Sequence, residues 1–484
     1  MRADRPVEAH PAYAGTRRID ELRATEYAHL DRDGHVYLDY AGAGVAARSQ
    51  YEAHHRRLTE GLFSNPHSEN PTSQAAGALV ESARRAVLSF FNADPFEYAV
   101  IFTANATGAC RLVGEAYRFD RDVPLVLTAD NHNSVNGLRE YARRAGTATR
   151  YVPLRAPELR VAESDVLAAM APVVPRPRRH DPPERRGLLA YPAQSNFTGV
   201  QHPLDWVELA QRRGYDVLLD AAAYVPTNRL DLRAVRPDFV CLSWYKMFGY
   251  PTGIGCLVAR WEALARLRRP WFAGGTIRAV SVEGDWHEAM DDESAFEDGT
   301  LNFLSIPDVE FGLDWISSIG VDLVHARVTA LTGWLLDRLT ALRHSNGRPL
   351  VRVYGPTGPE RRGGTVSFNF LHPDGTLVDE RLVAVESSEA GFSLRTGCFC
   401  NPGAGEGAFD IPGPTLRGVL ARGGALRTID EYLDALDLPT GGAVRVSLGL
   451  VSNAADVERF VAFAESTYRD REPDERALAP RLRC

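Results

Sequence analysis

The chain has 484 residues, a length that favours two domains or one large domain with a smaller appendage. Its net charge of -8 argues against nonspecific nucleic-acid binding, and no apolar run approaches the length of a membrane span. Six cysteines are too few for a disulfide framework in a chain of this size, and the first residues lack the apolar core of a signal peptide, so we expect reduced thiols and a cytoplasmic location.

Lysine usage is the most unusual feature of the composition. Lys246 is the only lysine, so the 55 basic residues include 54 arginines. Arginine can supply surface charge, but it cannot supply an amine that loses its proton and attacks a carbonyl. We therefore interpret Lys246 as a Schiff-base lysine. The alternative is a solvated lysine with no chemical role.

The N-terminal part contains a short strand-like run, Val36–Leu38, that enters a turn of small residues at 41–44. A polar, proline-punctuated loop at 63–71 precedes a helical stretch through Ala83 and Val87. We expect this loop to be exposed, where it can reach a neighbour or a ligand.

From residue 99 onward, short apolar runs alternate with helix-like segments. Continuous apolar runs suit strands covered on both faces, as in a mostly parallel α/β sheet, whose ligands gather at the carboxyl ends of the strands. A segment rich in proline and arginine, 173–186, is interpreted as a surface excursion. The apolar runs are Val100–Phe102, Leu125–Leu127, Leu188–Ala190, Val217–Leu219, Phe239–Leu242 and Ile254–Val258.

The pattern changes after Asp314. A long helix is predicted from Val324 to Leu342, with Asn346-Gly347 as its stop. Residues 365–370 and 444–448 alternate like half-solvated antiparallel strands, and Asn453 is predicted to cap a last helix that buries Val457, Phe460, Val461 and Ala464. We therefore predict an N-terminal arm over 1–36, a large domain over 37–313 and a small α+β domain over 314–484.

Chemically useful residues follow the predicted strands. The turn at 103–108 can cradle a phosphate at a helix start, or merely cap that helix. His132 can stack on a heteroaromatic ligand or can be structural. Asp220 precedes three alanines that leave room for a flat ring, and the next run leads to Ser243 and Lys246. A carboxylate for a pyridine nitrogen and an amine for an aldehyde are what a pyridoxal phosphate site requires.

A second motif, residues 394–402, holds Cys398 and Cys400. A zinc half-site is disfavoured because no second cysteine pair exists, so we predict no metal site. A reactive thiol is favoured, because Arg395 can lower its pKa. With Arg445 on the late strand, Arg395 can capture the α-carboxylate of an amino acid, although either arginine can simply form ion pairs.

Over roughly residues 37–465 the chain resembles the class V aminotransferase superfamily of fold type I pyridoxal enzymes. Within it, the likeness is to the cysteine desulfurases and above all to the desulfurase domain of molybdenum cofactor sulfurases. The motifs that carry the resemblance, in order, are NPHS, FTANATG, NHNS, QSNFTG, LDAA, LSWYKMFGYPTG, FAGGT, FEDGTLNF, RTGCFCNPGA and VRVSLG.

The resemblance implies a mostly parallel seven-stranded sheet in the large domain, with pyridoxal 5′-phosphate as cofactor. It implies catalytic roles for Lys246 as cofactor base, Cys400 as sulfur acceptor and His132 as ring-stacking and proton-moving group. The cofactor-binding residues that it implies are Ala106, Thr107, His132, Asn196, Asp220, Ser243, Lys246 and Thr276, the last reaching the phosphate from the other subunit of a homodimer. The substrate-binding residues that it implies are Asn196, Arg395 and Arg445.

The reaction implied by the resemblance moves sulfur from L-cysteine to Cys400 as a persulfide, releases L-alanine, and passes the sulfur to an acceptor protein or to the molybdenum cofactor. The alternatives are C-S lysis and transamination of a sulfur amino acid. Three positions depart from the family pattern. Ala223 stands three residues after the aspartate, where many desulfurases have glutamine; Tyr245 stands before the lysine, where many have histidine; and Gly405 stands where the sulfurases usually have a third cysteine. Cys398 is interpreted as an auxiliary thiol.

Overall fold

The computed structural model describes residues 10–32, 34–170, 186–421, 428–436, 438, 440–473, 478, 480 and 481. The excursion predicted at 173–186 lies outside the described residues except for Arg186, and so does Cys484. Within the described ranges no single helix is long and apolar enough to cross a membrane, whereas the sharply bent pair 307–319 and 321–341 passes the same criteria of length and composition.

The strands of the described residues form one large sheet, one smaller sheet and two two-stranded pairs. In chain order they are β1 (Val36–Tyr37), β2 (Tyr98–Thr103), β3 (Leu125–Thr128), β4 (Thr149–Val152), β5 (Gly187–Pro192), β6 (Tyr215–Asp220), β7 (Phe239–Ser243), β8 (Gly255–Arg260), β9 (Ile277–Ser281), β10 (Trp286–Ala289), β11 (Val351–Tyr354), β12 (Thr365–Phe370), β13 (Phe392–Ser393), β14 (Arg395–Gly397) and β15 (Ala443–Ser447).

The helices pack around these sheets, and short 3₁₀ turns cover Pro11–Thr16 and Glu293–Phe296. The α-helices are α1 (Arg18–Glu26), α2 (His29–Arg32), α3 (Arg48–Glu60), α4 (Pro71–Phe90), α5 (Ala106–Ala116), α6 (Asn133–Asn136), α7 (Leu138–Arg144), α8 (Glu163–Ala169), α9 (Trp206–Arg212), α10 (Trp244–Phe248), α11 (Trp261–Leu264), α12 (Pro307–Ile319), α13 (Val321–Ala341), α14 (Glu380–Glu389), α15 (Pro402–Ala408), α16 (Gly413–Ala421), α17 (Ile429–Leu436) and α18 (Ala454–Tyr468).

The large sheet has seven strands in the order β2-β8-β7-β6-β5-β3-β4. Strands β4, β3, β5, β6 and β7 pair in parallel, whereas β8 runs antiparallel to both of its neighbours. The predicted mostly parallel seven-stranded sheet is confirmed. Most of its strands are buried along nearly their whole length, because helices cover both faces. The edge strand β4 was not predicted, since its central residues Arg150 and Tyr151 are exposed.

The smaller sheet has the antiparallel order β11-β12-β15-β14. The prediction of half-solvated strands here is wrong, because every residue of β12 and β15 is buried. One cause is contact with the large domain: the Ser367 hydroxyl donates to the carbonyl of Phe197 (2.6 Å). The Asn369 side-chain amide donates to the carbonyl of Gly442 (3.2 Å), which helps to bury this polar residue.

The helices of the small domain follow the sequence closely. Asn453 caps α18 and forms a capping box with Asp456, and the predicted stripe of Val457, Phe460, Val461 and Ala464 is buried. Helix α13 ends at Ala341 rather than at Asn346-Gly347, because an antiparallel bridge between Arg343 and Pro349 folds the chain back earlier.

The described part of the N-terminal arm packs against the small domain. Arg23 donates to Asp456 (2.5 Å), and each of these two side chains is only 5% exposed. Fully buried Arg327 of α13 pairs with Asp20 of α1, and β1 pairs in parallel with β13. The arm is therefore held to the small domain by one buried charge pair, Arg23–Asp456, and by one pair whose carboxylate, Asp20, is 43% exposed. The domain boundaries at 36/37 and 313/314 stay predictions.

We expect Arg23→Met to lower the free energy of unfolding by about 3 kcal/mol, because Asp456 is left as a buried charge without its partner. The measurement is urea denaturation followed by circular dichroism. Arg48→Met is the matched control, since Arg48 is 64% exposed and its pairs with Glu26 and Glu52 are loose. Equal destabilisation by the two variants would contradict the assignment.

Candidate active site

A cleft of about 340 Å³ lies where the parallel strands of the large sheet end. Its walls come from the segments that follow β2, β3, β5, β6 and β7 and from the turn before β8. Both the position and the volume are typical of a small-molecule site in an α/β sheet. Seven predicted site residues line it together: Ala106, Thr107, His132, Asn196, Asp220, Ser243 and Lys246.

Lys246 projects from the short helix α10, which begins directly after β7. Trp244, Met247 and Phe248 of the same helix are buried and fix its orientation. Gly249 ends the helix with φ 78°, and a Cβ there would lie 2.2 Å from the backbone nitrogen of Ala46, so glycine is required on both grounds. Burial lowers the pKa of Lys246, and the nearby carboxylate of Asp220 partly offsets this.

Asp220 is the last residue of β6, at the strand end next to the one that leads into Lys246. The backbone N–H of Ala222 donates to its Oδ1 (3.0 Å), which fixes the carboxylate at the floor of the cleft. Ala222 and Ala223 line the cleft beside it, and their small side chains leave space where a flat ring is expected. The structure thus brings the carboxylate and the amine of the sequence prediction into one site.

Hydroxyl groups and a helix N-terminus form another wall. Helix α5 begins at Ala106, and the N–H of Ala106 donates to the Ser243 hydroxyl (3.0 Å). Thr107 Oγ1 lies 2.7 Å from Ser134 Oγ. Asn105 caps the helix by accepting from Gly108 N–H (2.9 Å). The positive end of an eleven-residue helix, together with three hydroxyls, makes this wall suitable for an anion such as a phosphate.

His132 sits at the start of α6, and its neighbours determine its tautomer. The N–H of Ser134 donates to Nδ1 (3.1 Å), so the neutral ring carries its proton on Nε2. Burial, followed by the charge of Lys246, lowers the pKa of His132 to about 4. The imidazole is therefore neutral at physiological pH, with its donor at Nε2 and with the lone pair of Nδ1 occupied by the Ser134 N–H.

The loop that carries Cys400 is clamped to the walls of the cleft. Asn196 donates to the carbonyl of Phe399 (2.8 Å), and Asn133 N–H donates to the carbonyl of Cys400 (2.7 Å). The side chain of Asn401 donates to both the Asn196 carbonyl oxygen Oδ1 (2.8 Å) and the carbonyl of Asp130 (2.7 Å). Asn133 and Asn401, whose roles were not predicted, therefore help to hold the cysteine loop.

The same loop has an unusual backbone. Phe399 and Cys400 have φ values of 55° and 53°, in the left-handed region that disfavours residues with a Cβ. Phe399 is buried against Phe197, with ring centroids 5.2 Å apart, while Cys400 is exposed. The clamping bonds and the buried ring hold the loop in this conformation, with Cys400 at an exposed position. Cys398 is partly buried on the same loop.

Arg395 and Arg445 meet at a carboxylate that the sequence analysis missed. Asp39 accepts from Arg445 Nη2 at Oδ1 (2.7 Å) and from Arg395 Nε at Oδ2 (3.1 Å). Arg445 also donates to the carbonyl of Asn196 (3.1 Å), and its guanidinium lies over the Phe399 ring at 4.7 Å. Both arginines lower the pKa of Lys246, so they lie within electrostatic reach of the amine. The sequence feature that could have predicted this role is the position of Asp39 directly after the strand-like run Val36–Leu38.

Thr276 does not line the cleft in this chain. Its hydroxyl donates to the carbonyl of Ala273 (2.8 Å) and accepts from the N–H of the same residue. The role predicted for it, through the other subunit of a dimer, stays a prediction. Among the described residues, no group of three or more histidine, cysteine, aspartate or glutamate side chains is placed to hold a metal ion.

The low pKa of His132 leads to a test of pH dependence. Because the unfolded imidazole titrates near its ordinary value of 6.5 and the folded one near 4, this residue makes stability fall as the pH drops from 6.5 to 4, by up to about 3 kcal/mol. We expect His132→Gln to lose less stability than the unmodified protein between pH 7 and pH 4.5, measured by urea denaturation. His55→Gln is the control, because His55 is exposed, and its stability should depend on pH as that of the unmodified protein does. If the two variants show the same dependence of stability on pH, the burial of His132 is contradicted.

Comparisons with known proteins agree with this geometry. The chain is 36% identical over 490 residues to a molybdenum cofactor sulfurase of Solanum lycopersicum and 34% identical over 470 residues to that of Homo sapiens. These alignments cover 96% and 93% of this chain but 59% and 51% of the relatives, so the chain spans little more than half of their length. The apo structure of a cysteine desulfurase from Thermococcus onnurineus NA1 has a TM-score of 0.74 at 22% identity, covering 93% of this chain and 98% of that one. The family model described as aminotransferase class-V matches residues 36–460, and the chain belongs to this family.

Proposed function

We propose that the chain is a pyridoxal phosphate-dependent cysteine desulfurase that moves sulfur from L-cysteine to Cys400. One observation carries the proposal: the loop that presents Cys400 is hydrogen-bonded to Asn196, a wall residue of the cleft that holds Lys246 and Asp220. Lysine and aspartate alone fit many reactions of this family. An exposed thiol fastened to the same cleft is what sulfur transfer to the enzyme needs in addition.

The residues of the cleft fit pyridoxal 5′-phosphate. The N-terminus of α5 and the hydroxyls of Thr107 and Ser243 would hold its phosphate, and Asp220 would hold its ring nitrogen protonated. The neutral ring of His132 would stack on it, and the depressed pKa of Lys246 favours the free amine that binds an aldehyde. When bound, the cofactor supplies an electron sink for the carbon skeleton of the amino acid.

The other residues bind and position the substrate. Arg445 is buried and fixed by two contacts, so its guanidinium is suited to orient the α-carboxylate of cysteine. Arg395 is half-exposed and adds a second positive charge. Lys246 would hold the aldehyde of the cofactor in the absence of substrate, and as a free amine in the cleft it would remove and return protons at the substrate carbons.

Cys400 then accepts the sulfur. Its thiolate attacks the sulfur of the substrate, a bond forms between the two sulfur atoms, and the bond between Cβ and sulfur breaks. The electron pair of the broken bond stays with the substrate carbon, which takes up a proton, so alanine leaves and Cys400 carries a persulfide. The rival reactions, C-S lysis and transamination, need the same cleft but no thiol at position 400.

The decisive experiment is mass spectrometry of the protein after treatment with L-cysteine. We expect one additional sulfur on Cys400 and one L-alanine per sulfur removed. Cys400→Ser should lower alanine formation about a hundredfold or more, because the attacking thiolate is lost, while the visible absorbance of the bound cofactor is retained. Lys246→Ala should change that absorbance.

Cys398→Ser is the matched control, since it removes a thiol two residues away on the same loop and should keep most of the alanine formation. Pyruvate and ammonia in place of alanine would favour C-S lysis, and dependence on a 2-oxo acid would favour transamination. An unmodified Cys400 during turnover would contradict the proposal.

The protein is further proposed to act as a homodimer. Trp271, Phe272, Val280, Val282 and Trp286 expose apolar surface on and beside the β9–β10 hairpin. The turn before this hairpin holds Thr276, and its Gly275 packs against the ring of His67 from the polar loop at 63–71. Exposed apolar surface of this kind favours contact with a second chain. A dimer formed there would place Thr276 near the interface, as its predicted role at the phosphate of the partner requires.

We expect Val282→Asp to shift the protein from dimer to monomer in sedimentation-velocity ultracentrifugation, because Val282 is 94% exposed and a buried charge would oppose association. Phe96→Asp is the control, since Phe96 is equally exposed but lies outside this surface. A monomeric unmodified protein, or dissociation by both variants, would contradict the proposed interface.

The sulfur acceptor is proposed to lie outside this chain. The exposed position of Cys400 suits transfer to a second molecule. The relatives are named molybdenum cofactor sulfurases, so that cofactor is the first acceptor to test, together with sulfur-carrier proteins.

A further inference from the structure

Asp39 divides its two carboxylate oxygens between the two predicted substrate arginines. Oδ1 accepts from Arg445 and Oδ2 from Arg395. This cluster, which lies within electrostatic reach of Lys246, therefore contains two guanidinium groups and one resident carboxylate. Asp39 is 14% exposed and Arg445 only 2%, so this pair is screened little by solvent, whereas Arg395 is 50% exposed.

We propose that Asp39 is a specificity-determining residue that restricts the substrate to amino acids with one carboxylate and excludes dicarboxylic ones. This inference rests on the proposed function, because it assumes that Arg445 binds the α-carboxylate. With Asp39 in place, the two arginines and one carboxylate leave one net positive charge, which matches one substrate carboxylate. Without it, two positive charges would be open to two carboxylates.

Arg445 retains the N–H of Nε, besides the second N–H of each Nη, as donors for the substrate. Its Nη1 and Nη2 are used by Asn196 and Asp39, while its buried Nε–H has no hydrogen-bond acceptor among the described residues. A buried donor without an acceptor is costly, so a carboxylate that reaches Nε gains a strong hydrogen bond. These donors, on a guanidinium whose charge Asp39 already partly neutralises, suit one carboxylate.

The surrounding backbone leaves room for the Asp39 and Arg395 pair. Gly42 follows in a turn in which its N–H donates to the carbonyl of Asp39 (2.9 Å). A Cβ at Gly42 would lie 2.4 Å from Asp39 Oδ2 and 2.9 Å from Arg395 Nη2. The absence of a side chain at position 42 therefore preserves the shared ion pair.

Arg395 would serve a second carboxylate if Asp39 were neutral. Its side chain is half-exposed, and its described charge partner is Asp39. Asp39→Asn would release this guanidinium and remove the repulsion between Asp39 and an incoming side-chain carboxylate. Amino acids such as L-aspartate should then bind more tightly than they do to the unmodified enzyme.

The test measures equilibrium binding to the holoenzyme by isothermal titration calorimetry, with L-alanine as the monocarboxylic probe and L-aspartate as the dicarboxylic probe. We expect the ratio of the dissociation constants, aspartate over alanine, to fall about tenfold or more in Asp39→Asn. In the unmodified enzyme, L-asparagine should bind about tenfold or more tightly than L-aspartate, a comparison that needs no variant to fold.

Asp165→Asn is the matched control. Asp165 also pairs with an arginine, Arg155, through two short hydrogen bonds, but it lies away from the cleft. This variant loses the same charge and should leave the ratio unchanged. Gly42→Ala should weaken both probes together, because it disturbs the pair without removing the carboxylate.

An unchanged ratio in Asp39→Asn, an equal shift in Asp165→Asn, or equal affinity of the unmodified enzyme for asparagine and aspartate would overturn the inference. The proposed function is judged separately, from alanine formation and the sulfur on Cys400. If alanine forms but the ratio of dissociation constants is unchanged in Asp39→Asn, only the role of Asp39 is contradicted. If that ratio shifts but no alanine forms, only the desulfurase reaction is contradicted.

Discussion

The burial of the Lys246 amine beside Asp220 is the constraint on which the rest of the site depends. Burial lowers the pKa of the amine, and the carboxylate of Asp220 raises it. The pKa of Lys246 therefore depends on the distance between the two groups, which the fold must keep constant. Adjacent parallel strands provide that relation, because β6 ends at Asp220 and β7 leads directly into α10. The buried side chains of α10 and the tight packing at Gly249 then prevent the lysine from turning away.

The small domain contributes to this site mainly through hydrogen bonds. Asn196, Asn133 and Asn401 tie the cysteine loop to segments that follow β3 and β5. Asp39, which precedes the large sheet in the chain, ties two arginines of the small domain to the entrance of the same site. The cofactor-binding residues and the thiol thus come from different sheets, and the side chains of Asn196 and Asn401 and the backbone of Asn133 join them.

The features that the sequence predicted best are those that depend on local patterns of residues. Apolar runs followed by Asp220 and Lys246 were sufficient to predict the sheet and the cleft, because strand ends in a parallel sheet share one edge. Strand β4 escaped prediction because an edge strand exposes polar residues. The strands β12 and β15 were predicted as half-solvated because Ser367 and Asn369 alternate with apolar residues, but their partners, Phe197 and Gly442, are distant in sequence. Asp39 was missed for the same reason, since Arg395 and Arg445 lie more than 350 residues further along.

The side chain of Asn401 has three partners, and this has a consequence for how the site can open. Its amide group reaches Asn196 and the carbonyl of Asp130, while its oxygen accepts from the N–H of Ala404 at the start of α15. A single rotation of this side chain would break all three bonds at once. The position of the cysteine loop, the shape of the cleft wall and the start of α15 therefore change together. An acceptor that displaces the loop at Cys400 would also change the wall of the substrate cleft.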